Sequence, residues 1–310
     1  MRLSTISRPA LLLAFVAGLA VAQAPGTLDP KPLPPLTNPS DPSTPARELF
    51  GRQPAPAKIP ARAVGFYSKG CLAGAVAVPV NGESWQVMRL SRNRNWGHPD
   101  LVKLVERLAG KARRTAGWPG LLIGDMSQPR GGPMLTGHNS HQVGLDADIW
   151  LTPMPTRELT RQEREEMSAT MIVNATRKDV DPAAWTPGHV TVIKAAAQEP
   201  EVERIFVNAA IKKALCREAG SDRAWLRKVR PIYGHDYHFH IRMRCPRGNF
   251  GCDAQDPVPA AAGDGCGSEL DWWFRESVLF PKPPSVPPKP RTPLIMANLP
   301  AQCAQVLKAP

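Results

Sequence analysis

Hydrophobic and polar positions recur along this chain at two periods. In "PDLVKLVERLAGKA", Pro99 stands where a first helical turn tolerates it, and Leu101, Leu104, Val105 and Leu108 share one helical face. "AAIKKALCREAG" reads as a second helix, closed by Gly220. "GLLIGDM", from Gly120 to Met126, is a short apolar run that reads as a buried strand, and "RIFVN", from Arg204 to Asn208, as another. "DADIW" looks like a strand end on which Asp146 and Asp148 share one face while Leu145, Ala147 and Ile149 fill the other. "HFHIRMR" also alternates, so His238 and His240 lie side by side with Phe239 opposite. Helices and strands mix without a regular βαβ rhythm, which predicts an α+β domain with a central antiparallel sheet flanked by helices.

This patterned region covers about residues 64–275, a suitable length for one domain. What surrounds it has a different composition. Arg2 and Arg8 precede the apolar stretch "ALLLAFVAGLAVA" (Ala10 to Ala22), which is too short to span a bilayer comfortably and is followed by small residues. Residues 1–22 therefore read as a secretory signal peptide; cleavage after Ala22 is favoured over Ala24, which would leave Pro25 in a blocking position. No other stretch suits a membrane anchor. Residues 23–63 are rich in Pro, Ser and Thr without apolar periodicity and read as an extended leader that buries no core. Residues 276–310 form a second Pro-rich segment, "PKPPSVPPKPRTP" within it, which Cys303 could tie back to the domain.

Charge and cysteine usage narrow the function. The formal charge of +12 favours polyanions, and export argues against nucleic acid, leaving anionic lipid or a carboxylate-rich polymer such as a cell wall. Six cysteines in an exported chain read as disulfides. The rival, a thiolate zinc site, lacks any C-x2-C pair; residue spacing alone leaves about fifteen pairings open.

Two short stretches, "GHNSHQVGLDADIW" and "GHDYHFHIR", hold five of the seven histidines. His141 and Asp148 are separated so that Gly144 can turn the chain between them, folding a loop back beside a strand. With His240 they offer two imidazoles and one carboxylate, the donor set of an open catalytic zinc. The helical H-E-x-x-H motif is absent, so a zinc peptidase here needs another framework.

H-x6-D followed by H-x-H resembles the signature of the LAS zinc metallopeptidases, which cleave bacterial peptidoglycan. The strings "GDMSQPRGG", "GHNSHQVGLDADIW", "VERIFVNAAIKK", "DRAWLRKVRP", "HFHIRMRCP" and "GDGCG" resemble its penicillin-insensitive murein endopeptidase family over nearly all of residues 65–274. The resemblance implies a LAS/hedgehog-like core and one zinc ion bound by His141, Asp148 and His240, with His238 as general base. It makes His138 and His235 further active-site histidines, with His138 able to join the metal in some states, and Asp146 a residue that orients a ligand imidazole. A second metal is described in some members; here Asp179, Asp181 and His189 do not align with such a site, and no second metal is expected. His98 is expected to serve structure at the start of its helix. The implied disulfides are Cys71–Cys303, Cys216–Cys266 and Cys245–Cys252.

The resemblance further implies a periplasmic zinc metalloendopeptidase, insensitive to β-lactams, that hydrolyses the D-alanyl–meso-diaminopimelyl crosslink of peptidoglycan. A LAS-type D,D-carboxypeptidase and a non-catalytic metal-binding wall module are the alternatives. An unligated base such as His238 argues against the last.

Overall fold

The computed structural model describes residues 24–284 and 291–310. The expected signal peptide lies outside the described residues. In chain order the elements are α1 (Ala46–Phe50), the hairpin β1 (Arg62–Phe66) and β2 (Lys69–Ala73), β3 (Val76–Ala77), β4 (Asn81–Gly82), β5 (Trp85–Val87) and β6 (Trp96–Gly97). Then come α2 (Pro99–Thr115), β7 (Leu121–Ile123), β8 (Asp146–Trp150), α3 (Arg161–Glu166), α4 (Pro187–Gln198), β9 (Val202–Val207), α5 (Ala209–Glu218), β10 (Val229–Pro231) and β11 (His238–Met243). Three short helices close the chain: α6 (Ser268–Trp272), α7 (Glu276–Leu279) and α8 (Gln302–Lys308).

The main sheet has seven strands in the order β10-β9-β11-β8-β7-β5-β4. Its centre is antiparallel, but β5 runs parallel to β7 and β10 parallel to β9. The sheet is thus mixed, which corrects the expected antiparallel one. The cause is two crossovers, β5–α2–β7 and β9–α5–β10, each of which returns the chain in the same direction. Their outer strands, β5 and β10, have three residues apiece, too few to show a period in sequence.

The helical face of α2 forms as its spacing predicts. Leu101, Leu104, Val105 and Leu108 are wholly buried, in one core with Ile123, Ala147, Ile149, Ile205, Phe239 and Ile241. His98 caps α2, its Nδ1 accepting from the Asp100 amide at 3.2 Å. Burying a side chain such as Phe239 contributes roughly 1.5–3 kcal/mol. That core fixes one face of β8 and β11. Alternation then commits Asp146, Asp148, His238 and His240 to the other face.

The stretch expected to lie extended and bury nothing is partly packed. Ala46 and Phe50, one turn apart on α1, are fully buried with Ala57, Val64, Cys71, Ala73, Leu299, Cys303 and Val306. One helical turn needs only one pocket, and Gly132 supplies it: a Cβ there would stand 2.3 Å from the Phe50 ring. The tail packs here too. Ala46 N donates to Leu294 O at 2.7 Å, Pro45 bridges Ile295, and Cys303 is bonded to Cys71. Cys216–Cys266 and Cys245–Cys252 are the other two disulfides.

Candidate metal centre

Strands β8 and β11 are antiparallel neighbours whose register sets His240 opposite Asp148 and Arg242 opposite Asp146. His141 arrives from the preceding loop. Gly144 makes that return with φ +69, in a space where a Cβ would stand 2.4 Å from a Leu72 methyl carbon. His141 itself has φ +66, a left-handed backbone uncommon for a residue other than glycine. Two bonds hold it there: its amide donates to Asp146 Oδ2 at 3.0 Å, and its Nδ1 lies 2.5 Å from Met126 O.

These contacts decide where the protons are. A carbonyl oxygen only accepts, so His141 Nδ1 carries the hydrogen and Nε2 presents a lone pair. Asp146 Oδ1 accepts from His240 Nε2 at 2.9 Å, which leaves the lone pair on His240 Nδ1. Both lone pairs face Asp148: its Oδ1 is 3.5 Å from His141 Nε2 and 3.3 Å from His240 Nδ1. His141 Nε2 and Asp148 Oδ1 are buried without a hydrogen-bond partner. Acceptors turned on one another are costly unless a cation lies among them. Two imidazoles and a carboxylate suit zinc.

The local field agrees. Burial acts to lower the His141 pKa, but Asp148, by its charge and by the side-chain hydrogen bond a protonated Nε2 would give it, and the charges of Asp146 and Asp125 outweigh it. The net shift is upward, so the carboxylates draw positive charge to this point, whether a proton on Nε2 or a metal ion in its place. Burial pushes His240 down to about 4 and His238 to about 3, which keeps both rings neutral. Burial would raise Asp148, yet His238, His141 and His138 around it hold the carboxyl well below the usual carboxylate range.

The remaining expected residues are also gathered here. His238 Nε2 is 3.6 Å from Asp148 Oδ1. His138 Nε2 is 3.5 Å from Asp148 Oδ2, and donor atoms of His138, His141 and Asp148 all lie within 4.8 Å of one another. That same His138 nitrogen is engaged by Asp125 Oδ2 at 3.1 Å. The His235 ring lies 4.6 Å from that of His238, and its Nδ1 is 3.0 Å from Tyr233 O. His138, His235, His238 and His240 line an open cleft of about 560 Å³. Asp179, Asp181 and His189 have other partners. Asp179 pairs with Arg217 and Lys213, Asp181 accepts from the Ala183 amide, and His189 bonds Leu151 O and stacks on Trp185.

Two contributors escaped sequence reasoning. Asp125, just past β7, binds Arg92 at 3.0 Å, Arg94 at 2.9 Å and His138. It sat inside "GLLIGDM" and "GDMSQPRGG", read for an apolar run and for family resemblance, with no role given to the aspartate itself. Arg242 donates Nε to Asp146 Oδ1 at 2.8 Å and lies 4.2 Å above the Tyr67 ring. The alternation that paired His238 with His240 extends one step to Arg242 and could have found it.

Known proteins are similar to this chain over most of its length. The family profile described as penicillin-insensitive murein endopeptidase matches residues 63–308. A penicillin-insensitive murein endopeptidase of Haemophilus influenzae is 45% identical over 251 residues, covering 80% of this chain and 82% of that protein. One of Klebsiella pneumoniae is 45% identical over 247 residues, 80% of this chain and 86% of its own. One of Escherichia coli O1:K1 is 44% identical over 255 residues, 82% and 88% respectively.

Proposed function

Because the chain belongs to the penicillin-insensitive murein endopeptidase family, we propose that it is a zinc-dependent peptidase that hydrolyses the D-alanyl–meso-diaminopimelyl crosslink of peptidoglycan. The carrying observation is the convergence of three lone-pair donors, His141 Nε2, His240 Nδ1 and Asp148 Oδ1, two of them buried and unpartnered. These three residues hold the ion. His138 is the weaker candidate because Asp125 occupies the nitrogen it would use.

A zinc ion held there would supply Lewis acidity and would lower the pKa of water to about 7. The chain's own residues do the rest. Asp146 orients His240 and the His141 loop, and it is in turn fixed by Arg242. His238, beside Asp148, takes the proton of the attacking water and returns it to the leaving amine. His235 and His138 line the cleft against the substrate. No side-chain nucleophile is required, and all six cysteines are in disulfides. A β-lactam, which inhibits when an activated serine attacks and opens its ring, therefore meets no catalytic nucleophile. The basic surface retains the enzyme on carboxylate-rich murein in the periplasm.

The test is digestion of purified murein with and without a chelator, followed by mass analysis of the fragments. Metal-dependent release of monomers from crosslinked dimers supports the proposal. Loss of only a terminal D-alanine would replace it with a carboxypeptidase, and no cleavage at all with a binding module.

A further inference from the structure

The metal cleft does not end at the histidines. A second cavity of about 430 Å³ adjoins it, and the two share Ser68, His138 and Asn139 as a common ridge. The ridge is fixed from beneath by Gln142, which is 3% exposed. Its Nε2 donates to Ser68 O at 2.8 Å and Asn139 O at 2.9 Å, and its Oε1 accepts from Gly70 N at 3.2 Å.

The two chambers differ in available charge. On the metal side, Arg242 is committed to Asp146. Among the described residues the second chamber is lined by Arg47 and Arg291 and by no Asp or Glu. Both arginines are exposed. Among the described residues Arg47 has only a loose acidic neighbour in Glu48 at 3.7 Å, whose other oxygen pairs with Arg52 at 2.6 Å.

We propose that this chamber is a carboxylate subsite, in which Arg47 and Arg291 bind a free carboxylate of the crosslinked peptide while its scissile bond lies across the ridge in the metal cleft. The inference rests on the murein-peptidase reading above. Guanidinium forks match carboxylates in shape and charge, and murein peptides carry free carboxylates near their crosslinks. The subsite also gives the two Pro-rich segments a task. Arg47 rides on α1 and Arg291 on the tail, and the Pro45–Ile295 bridge with the Ala46–Leu294 hydrogen bond aligns the two segments. Arg47 precedes the region matched by the family profile, residues 63–308, so this wall is partly built outside it.

The experiment compares wild type, Arg47→Ala/Arg291→Ala and Arg47→Lys/Arg291→Lys on a soluble crosslinked muropeptide dimer, native or with its carboxylates amidated. On the native dimer the double alanine variant should raise KM about tenfold, a loss of about 1.4 kcal/mol, with kcat nearly unchanged. The lysine variant, which keeps the charge and loses the fork, should recover only part of that. On the amidated dimer all three proteins should behave alike. An equal loss on both substrates, or none on the native dimer, overturns the subsite. If wild type cleaves neither dimer, the peptidase reading falls, and calorimetry then decides the subsite alone: equal Kd for wild type and the alanine variant overturns it, weaker binding by the variant supports it.

Discussion

Asp146→Asn is the substitution whose consequences can be worked out most fully. Asp146 is wholly buried and accepts from His240 Nε2 at 2.9 Å, His141 N at 3.0 Å and Arg242 Nε at 2.8 Å. The amide is nearly isosteric, so the change is chiefly one of charge and donor pattern. Arg242 keeps its Gln255 contact at 2.8 Å and its place over Tyr67, but loses its counter-ion. Breaking a buried ion pair in this way costs about 3–5 kcal/mol. Losing the acceptor that orients a ligand imidazole costs about 10–100-fold in metal affinity. The assays are urea unfolding of the metal-free protein and competition for zinc with a chromophoric chelator. Adding Arg242→Met separates the two effects. The double variant no longer buries an unpaired charge and should regain much of the stability, while its metal affinity stays low. Wild-type affinity in Asp146→Asn, or affinity restored along with stability in the double variant, would refute the role given to Asp146.

Further outcomes follow from the same geometry. His238→Ala should keep a full equivalent of zinc and lose about 10²–10⁴ in kcat, whereas His240→Ala should lose metal and activity together; elemental analysis beside turnover measurements checks both, and an empty site in His238→Ala would reverse the two assignments. Gly144→Ala forces a Cβ to 2.4 Å from Leu72 at φ +69 and should cost about 1–3 kcal/mol, read as a lower urea midpoint; an unchanged midpoint would remove the steric account of this turn. Lys212 is fully buried, donates to Leu226 O at 2.7 Å and Asp264 O at 2.6 Å, and is pushed by burial from 10.5 down to about 7. Between those values the unfolded chain holds a proton the native state lacks, so stability contributed here rises with pH by up to about 1.4 kcal/mol per unit. Urea unfolding at several pH values should show Lys212→Met lacking this slope; parallel pH profiles for the two proteins would contradict the shift.

The site was legible where the chemistry follows strand alternation. His238, His240, Asp146 and Asp148 could be placed on one face because β8 and β11 are long enough to show period two, with Phe239 and Ile149 marking the other. Gly144 announced the turn that returns His141. The fold was less legible where elements are short. β5 and β10 have three residues each, and without them the two parallel crossovers, and hence the mixed sheet, were invisible. The packing of α1 was hidden for a related reason: five helical residues among prolines carry one apolar pair, Ala46 and Phe50, and only the cavity above Gly132 gives that pair meaning. Asp125 is a tertiary contributor. Its partners Arg92 and Arg94 come from one segment and His138 from a distant loop, and no local pattern joins them.

Anomalous scattering at the zinc absorption edge from crystals of the protein tests the central claim most directly. A single strong peak should lie about 2.0–2.2 Å from His141 Nε2, His240 Nδ1 and an Asp148 oxygen, with His238 nearby but unbound. A peak bonded to His238 in place of His240, or none among these side chains in zinc-loaded crystals, would contradict the account.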